Sequence, residues 1–303
     1  MSSATEELSA LQRLKQERGA IILAHTYQRA EIQLLADYVG DSLELARKAA
    51  GTDAPVIVFC GVRFMAETAK ILAPDRTVLL PAENAGCPMA DSITAEDVRG
   101  LKKQHPGASV VAYVNSTAEV KAESDYCCTS ANALQVVESV PADEIICIPD
   151  RNLAQWCQKH TSKRIIWWDG CCPVHEGISR EDVLQARETY ADALLLAHPE
   201  CEPEVLEMAD EVMSTSQMIT FARRSLNRRF LIATEEQVAE RLQAEFPDRI
   251  CITVGVDRRC VDMKKTRIED VVRSLKTLSP AVEVGGGVME KARLPIERML
   301  ALG

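Results

Sequence analysis

Short apolar runs alternate along the chain with amphipathic segments. VIVFCGVRFMAETA, EIICIPDRNLAQWC and RFLIATEEQVAERL each begin with an apolar run, pass through a short turn and continue with helical periodicity. Strands that alternate with helices in this way are typical of parallel sheets with helical connections. The pattern therefore predicts an α/β fold.

The same pattern occurs three times. IILAHTYQ, VVAYVNST and LLLAHPEC are apolar runs that lead into polar residues, and they place His25, Tyr113 and His198 at steps of 88 and 85 residues. Two further features recur at these steps, namely a hydroxyl residue ahead of a helical run and an apolar position within a helix. They are Ser42, Ser130 and Thr215, and Met65, Leu153 and Val238. Recurrence at a constant step indicates a triplicated fold.

We therefore predict three homologous three-layer αβα units with short parallel sheets, arranged about a pseudo-threefold axis. The units span residues 1–84, 85–170 and 171–288, and a last helix, 289–303, packs back on the first unit. Because sites in parallel sheets lie beyond the carboxyl ends of the strands, the polar residues of all three units are expected at one central active site.

One cysteine recurs per unit, a few residues beyond the strands TVLLP, RIIWW and ICITV. These are Cys87, Cys172 and Cys260 among eleven cysteines in all. Three thiolates from distant loops can hold a 4Fe-4S cluster by three irons, which leaves the fourth iron open to act as a Lewis acid. The alternative is that they are small buried residues, the role expected of the remaining cysteines.

Charge and composition exclude several classes of function. Acidic residues outnumber basic ones by 45 to 35, and the net charge of -10 argues against coating nucleic acid or an anionic membrane. The polar, acidic start MSSATEELSA differs from a signal peptide, and no apolar run approaches the roughly 20 residues of a membrane span. The cytoplasm is the expected compartment.

The remaining polar candidates suit an anionic substrate. Hydroxyl residues ahead of helices are commonly N-caps, but a helix N-terminus with a hydroxyl also binds carboxylate or phosphate. Imidazole and phenol groups such as His25 and Tyr27 bind carboxylate or transfer protons, and Glu200 is a candidate general acid or base. Each of these is also compatible with a structural hydrogen-bonding role.

Two other classes of protein stay open at this point. One is a non-catalytic iron-sulfur protein for electron transfer or oxygen sensing, although no fourth cysteine recurs to complete such a centre. The other is a metal-free protein with an anion pocket, which leaves the three recurring cysteines unexplained.

The assembled motifs resemble the quinolinate synthase (NadA) family over nearly the whole chain. They occur in the order AHTYQ, GDSLELA, FCGVRFMAETAKIL, NAGCPMAD, YVNSTAEVKAESDYCCTS, WDGCCPVHE, AHPEC, STSQMI, IATE, CVDMKKT and ERMLAL. The resemblance implies condensation of iminoaspartate with dihydroxyacetone phosphate to quinolinate, with release of phosphate and two waters, in de novo NAD biosynthesis. It also implies a 4Fe-4S cluster on three cysteines, and aspartate oxidase or aspartate dehydrogenase as the source of iminoaspartate.

The resemblance further implies roles for individual residues. The cluster ligands would be Cys87, Cys172 and Cys260, since the family pattern selects Cys172 over Cys171. Substrate binding would involve His25, Ser42, Tyr113, Asn115, Ser130, His198, Glu200, Ser214 and Thr215. The residues expected at the reacting centre are Tyr27, Tyr113, His198 and Glu200, with Tyr27 and Glu200 as proton carriers. The chain departs from the family at Met213, where a glycine is usual.

Overall fold

Three parallel sheets of four strands form the framework of the chain. The computed structural model describes residues 3–302; residues 1, 2 and 303, the outer ends of the expected first unit and last helix, lie outside it. The strands of the first sheet are β1 (Ala20–His25), β2 (Tyr38–Gly40), β3 (Val56–Cys60) and β4 (Thr77–Leu79). Those of the second are β5 (Ser109–Tyr113), β6 (Tyr126–Cys128), β7 (Glu144–Ile148) and β8 (Arg164–Trp167). Those of the third are β9 (Leu194–Ala197), β10 (Glu211–Val212), β11 (Arg229–Ala233) and β12 (Ile250–Thr253).

The three sheets have the same strand order and register, which confirms the triplicated α/β fold. Each runs second, first, third, fourth strand, as β2-β1-β3-β4 does. Leu23 pairs with Tyr38 in the first sheet, and residues 88 and then 85 positions later pair in the second and third. The unit boundaries and the arrangement of the units about a threefold axis stay predictions.

Helices flank each sheet and recur in the same places. Ahead of the first strands lie α1 (Ser3–Arg18), α5 (Ala95–Gln104) and α10 (Arg180–Thr189). After the first strands come α2 (Ala30–Leu35), α6 (Ala118–Ala122) and α11 (Pro203–Met208). After the second come α3 (Ser42–Ala50), α7 (Ala133–Ser139) and α12 (Thr215–Arg224), and after the third α4 (Arg63–Leu72), α8 (Arg151–His160) and α13 (Glu236–Glu245). The others are α9 (Pro173–Glu176), α14 (Ile268–Thr277) and α15 (Gly286–Ala301).

Buried aliphatic side chains on the strands hold these layers together. Ile22 and Val58 face one helix layer of the first sheet, and Leu23 and Ile57 face the other, because successive strand residues point to opposite faces. Strands that are buried on both faces have continuous apolar sequences, which is the pattern found in this chain. None of the helices in the described part of the chain has the length and hydropathy needed to cross a lipid bilayer.

One aspartate in each unit is hydrogen-bonded to the backbone of the first strand. Asp37, Asp125 and Asp210 lie just before the second strand of their units. Their carboxylates accept hydrogen bonds of 2.8, 2.8 and 2.7 Å from backbone N–H groups of the first strand. The backbone N–H of each aspartate donates in return to the carbonyl of the same strand residue. This reciprocal pairing orients the first two strands, so that both end at the edge where the polar residues lie.

The last two helices connect units that are distant in sequence. Val271 and Leu275 of α14 are buried against Leu11 and Ile22, so this helix lies in the core of the first sheet although the expected third unit includes it. The final helix α15 contacts both the first and the second unit. Its side-chain and backbone hydrogen bonds join Arg293 to Leu72, Met299 to Asn132 and Arg298 to Asp125.

We expect Leu275→Ala to destabilise the protein by about 2–5 kcal/mol, because it leaves a cavity where α14 closes the core of the first sheet. Urea unfolding of the full chain measures this change. Exposed Lys276 on the same helix provides the matched control, since Lys276→Ala should change stability by less than about 0.5 kcal/mol. Equal losses for the two variants would contradict the packing of α14 described above.

Candidate active site

A cavity of about 320 Å³ lies beyond the carboxyl ends of the strands and receives residues from all three units. All the expected site residues except Ser214 line it. They are Cys87, Cys172, Cys260, His25, Tyr27, Ser42, Tyr113, Asn115, Ser130, His198, Glu200 and Thr215. The convergence follows from the fold, because the loops after parallel strands leave a sheet at one edge.

Each of the three recurring cysteines begins one turn of helix. The carbonyl oxygen of each accepts a hydrogen bond from the N–H four residues later, at 3.0 Å for Cys87, 2.9 Å for Cys172 and 3.2 Å for Cys260. In each turn, backbone N–H groups two or three residues after the cysteine point at its sulfur. Free N–H groups at the start of a helical turn stabilise negative charge, so each turn favours the thiolate form of its cysteine, although burial outweighs this effect.

The three thiols also lie near enough to repel one another as anions. Burial raises the pKa of Cys87 to about 12 and that of Cys260 to about 11, and it raises the pKa of Cys172 as well. The charge of Cys260 further raises the pKa of Cys87, and the charges of Cys87 and Cys260 further raise that of Cys172. Three buried sulfurs of this kind suit a cationic metal centre, which compensates the repulsion and favours the thiolates.

A buried carboxylate, Glu200, lies at the centre of the polar contacts. The Tyr113 hydroxyl donates a hydrogen bond to its Oε1, and His175 Nδ1 lies 2.7 Å from its Oε2. Burial opposes ionisation, but the His175 imidazole and the Tyr113 hydroxyl outweigh it and hold the pKa of Glu200 below its ordinary value. Glu200 is therefore an ionised acceptor at neutral pH.

The two predicted histidines are neutral. Burial and the Lys264 ammonium lower the pKa of His25 to about 3, and burial lowers the pKa of His198 to about 3 despite the nearby Glu200 carboxylate. His25 Nδ1 accepts the backbone N–H of Tyr27 at 3.1 Å, which leaves its other ring nitrogen to carry the proton. His198 stacks on His175 with ring centroids 4.5 Å apart. Neutral imidazoles of this kind donate hydrogen bonds without adding charge.

The Tyr27 hydroxyl is held beside the histidine pair. It lies 2.8 Å from Thr234 Oγ1 and 3.5 Å from His175 Nε2, and Thr234 Oγ1 lies 2.8 Å from that same nitrogen. Burial, with the charge of Glu200, raises the pKa of Tyr27 well above its ordinary value. Tyr27 is therefore a protonated donor, in contrast to Glu200.

The hydroxyls ahead of the helices differ in what they do. Ser214 is the N-cap of α12, as the capping interpretation predicted, and its hydroxyl also donates to Asp41 Oδ2 at 3.1 Å. Ser42 is not a cap, because Asp41 caps α3 and Ser42 is its first helical residue. Asn132, not Ser130, occupies the N-cap position of α7. Ser42, Ser130 and Thr215 are thereby free to face the cavity.

Met213 has an ordinary backbone conformation, although the resemblance implies a glycine at this position. Among the non-glycine residues that the structure describes, only Asp257 and Leu278 have positive φ. The Met213 side chain packs against the core of the third unit.

The recurrence pattern does not identify His175, which lines the cavity, or Thr234, which contacts His175 and Tyr27 behind it. His175 does not recur in the other units, because Ala90 and Met263 stand at the same distance after the other two cysteines. His175 nevertheless lies within the quoted motif WDGCCPVHE, one helical turn after Cys172. A search for imidazoles near the recurring cysteines would have found it.

A buried ion pair fixes the third cysteine relative to Tyr27. Lys264 Nζ lies 2.9 Å from Glu235 Oε1 and donates to the Tyr27 carbonyl at 2.7 Å. The same Glu235 oxygen accepts the backbone N–H of Cys260 at 3.2 Å. Two residues outside the cavity lining thus connect the third cysteine turn to the first unit.

Comparisons with known proteins agree with these features. A family model described as "Quinolinate synthetase A protein" matches residues 9–301. The chain is 50% identical over 298 residues to the quinolinate synthase of Thermodesulfovibrio yellowstonii, which covers 98% of this chain and 97% of the relative. It is 51% identical over 287 residues to that of Dehalococcoides mccartyi strain 195, covering 95% of each. It is 50% identical over 290 residues to that of Methanoregula boonei, covering 96% of each.

We expect Glu235→Gln to destabilise the protein by about 3–5 kcal/mol, because the buried Lys264 ammonium loses its counter-charge. Urea unfolding measures the change, and the double variant Glu235→Gln, Lys264→Met should recover part of it. The neighbouring pair of Glu236 and Arg259 is more exposed, so Glu236→Gln should cost no more than about 1 kcal/mol. If Glu235→Gln also destabilised the protein by no more than about 1 kcal/mol, the buried pair of Glu235 and Lys264 would not constrain this part of the site.

Proposed function

The chain belongs to the quinolinate synthase family, and we propose that it forms quinolinate from iminoaspartate and dihydroxyacetone phosphate. Phosphate and two waters are the other products of this condensation. The observation that carries the proposal is the convergence of the three cysteine turns with Tyr27, Tyr113, Glu200 and the neutral histidines on one cavity.

Cys87, Cys172 and Cys260 are the proposed ligands of a 4Fe-4S cluster. Their support is the shared helical turn, the backbone N–H groups directed at each sulfur and the mutual repulsion of the three thiolates. When bound, such a cluster would supply a Lewis-acidic iron that no side chain of the chain ligates.

The anionic groups of the substrates are proposed to bind to hydroxyls and helix N-termini. Ser42 and Thr215 are the first residues of α3 and α12, and both line the cavity, where the helix dipole favours carboxylate or phosphate. His25, His198, Asn115 and Ser130 provide further neutral hydrogen-bonding groups. Ser214 would contribute indirectly, since its hydroxyl caps α12 and holds Asp41.

The states of ionisation divide the proton carriers into acceptor and donor. Glu200, whose pKa is lowered, is the proposed base that removes a proton from the condensing carbon or nitrogen. Tyr27, whose pKa is raised, is the proposed donor to a departing hydroxyl group. Tyr113 donates to the Glu200 carboxylate and orients it, and the His198 ring accepts the backbone N–H of Glu200. Exclusion of water by this buried setting strengthens each of these interactions.

The surroundings of the reaction follow from its chemistry. Iminoaspartate hydrolyses readily, so we propose that an aspartate oxidase or aspartate dehydrogenase near this protein supplies it. All eleven cysteines are free thiols, which supports the proposed location in the reducing cytoplasm.

We expect Cys87→Ala, Cys172→Ala and Cys260→Ala each to abolish quinolinate formation, because loss of one ligand removes the cluster. Protein purified without oxygen should contain about four iron and four sulfide per chain. Each variant should contain substantially less, and quinolinate is measured by chromatography after addition of both substrates.

Cys171 provides the matched control, because it precedes Cys172 directly and does not line the cavity. Cys171→Ala should keep both iron content and turnover. Full turnover in any of the three ligand variants would refute the proposed cluster-dependent reaction.

We expect Tyr27→Phe and Glu200→Gln to lower kcat about 10²- to 10⁴-fold with smaller effects on KM, because each removes a proton carrier and keeps the shape of the side chain. Steady-state kinetics on protein with matched iron content measures this. Tyr126 lies outside the cavity, so Tyr126→Phe serves as the control and should change neither kcat nor KM. A rise in KM at unchanged kcat would assign these residues to binding alone.

A further inference from the structure

Three different metal-ligating groups meet at one side of the cavity. The sulfur of Cys172, one ring nitrogen of His175 and one carboxylate oxygen of Glu200 all lie within 4.8 Å of one another. The α9 turn brings Cys172 and His175 together, and Glu200 comes from the loop after β9. Among the described residues this is the one such group of three. It includes one of the recurring cysteines and neither of the other two.

His175 has a buried ring nitrogen that lacks a hydrogen-bond partner. The imidazole is 1% exposed, and although Glu200 Oε2 lies 2.7 Å from Nδ1, it does not meet the geometry of a hydrogen bond with that nitrogen. The other nitrogen, Nε2, lies 2.8 Å from Thr234 Oγ1 and can donate its proton there. In that tautomer the Nδ1 lone pair has no hydrogen-bond donor facing it and is available to a cation.

Each of the three groups has a partner behind it. Thr234 Oγ1 accepts from His175 Nε2 in that tautomer, the Tyr113 hydroxyl donates to the other oxygen of Glu200, and the backbone N–H of His175 points at the Cys172 sulfur. Metal ligands in proteins are oriented by partners of this kind. The arrangement thus has the features of a prepared site and not only of three neighbouring side chains.

We propose that, when the chain lacks an iron-sulfur cluster, Cys172, His175 and Glu200 bind one zinc ion. One sulfur, one imidazole nitrogen and one carboxylate oxygen are ligands that zinc accepts, and three protein ligands leave a fourth position open to the cavity. Binding releases the thiol proton of Cys172, because zinc coordinates the thiolate. Zinc and the proposed cluster exclude each other, since both require Cys172.

The site is tested by zinc binding to full-length protein prepared without iron. Titration against a chromophoric chelator should give one zinc per chain, and X-ray absorption on the wild-type protein should show one sulfur among its nearest neighbours. Cys172→Ala, His175→Gln and Glu200→Gln should each weaken binding roughly 100-fold or more, and Thr234→Val about 10-fold through loss of the orienting partner.

Cys87→Ala and Cys260→Ala are the matched controls, because they remove equally buried thiols of the same cavity. We expect their zinc affinity to stay within about threefold of the wild type. Three sulfur neighbours in the absorption spectrum, or an equal loss of affinity in these two variants, would overturn the site in favour of a three-thiolate centre. Absence of stoichiometric zinc binding would overturn it as well. The wild-type spectrum decides the question even where a variant does not fold.

Competition with the cluster supplies a second readout. Preloaded zinc should reduce the iron incorporated on anaerobic reconstitution, and removal of zinc by a chelator should restore it. Unimpaired iron incorporation with zinc still bound would contradict the shared use of Cys172. If zinc-free protein also takes up no iron, the proposed cluster fails, whereas the zinc site is judged by the absorption spectrum.

Discussion

A carboxylate with almost no exposure to solvent constrains the whole centre of this protein. An ionised Glu200 in a buried cavity costs several kcal/mol unless other groups replace its hydration. Those groups come from two units, since Tyr113 ends β5 whereas His175 belongs to the third unit. Asn152 of α8 also donates to the Glu200 carbonyl. The units must therefore dock correctly before the carboxylate is satisfied, which couples the assembly of the site to the packing of the units.

The three cysteine turns also stabilise buried negative charge, and all three do so with the same arrangement of backbone N–H groups. A buried thiolate is unfavourable, and three neighbouring thiolates are more so, but the first turn of a helix directs unpaired N–H groups at each sulfur. The same device is used three times because the chain is triplicated. Around it the units have diverged: His175 follows the second cysteine, whereas the corresponding positions after the other two are apolar. The three cysteine turns are the symmetric part of the centre, and His175 is an asymmetric part.

Residues outside the cavity maintain these distances. The buried pair of Glu235 and Lys264 holds the third cysteine turn against the backbone of Tyr27. Asp37, Asp125 and Asp210 are further from the cavity, and they align the first and second strands of each sheet. Replacing Glu235 would therefore disturb the centre without removing any group that touches substrate.

The sequence by itself determined the triplicated α/β fold, the three cysteines and most of the polar residues that meet at the cavity. It could do so because apolar periodicity and recurrence at a constant step are properties of local order along the chain. Only the tertiary structure decided that the Ser214 hydroxyl donates to Asp41, that α14 completes the core of the first sheet, and that His175, with Thr234 behind it, joins the site. These features depend on contacts between segments far apart in sequence. A local sequence pattern does not determine which of two possible partners a side chain contacts in the folded chain.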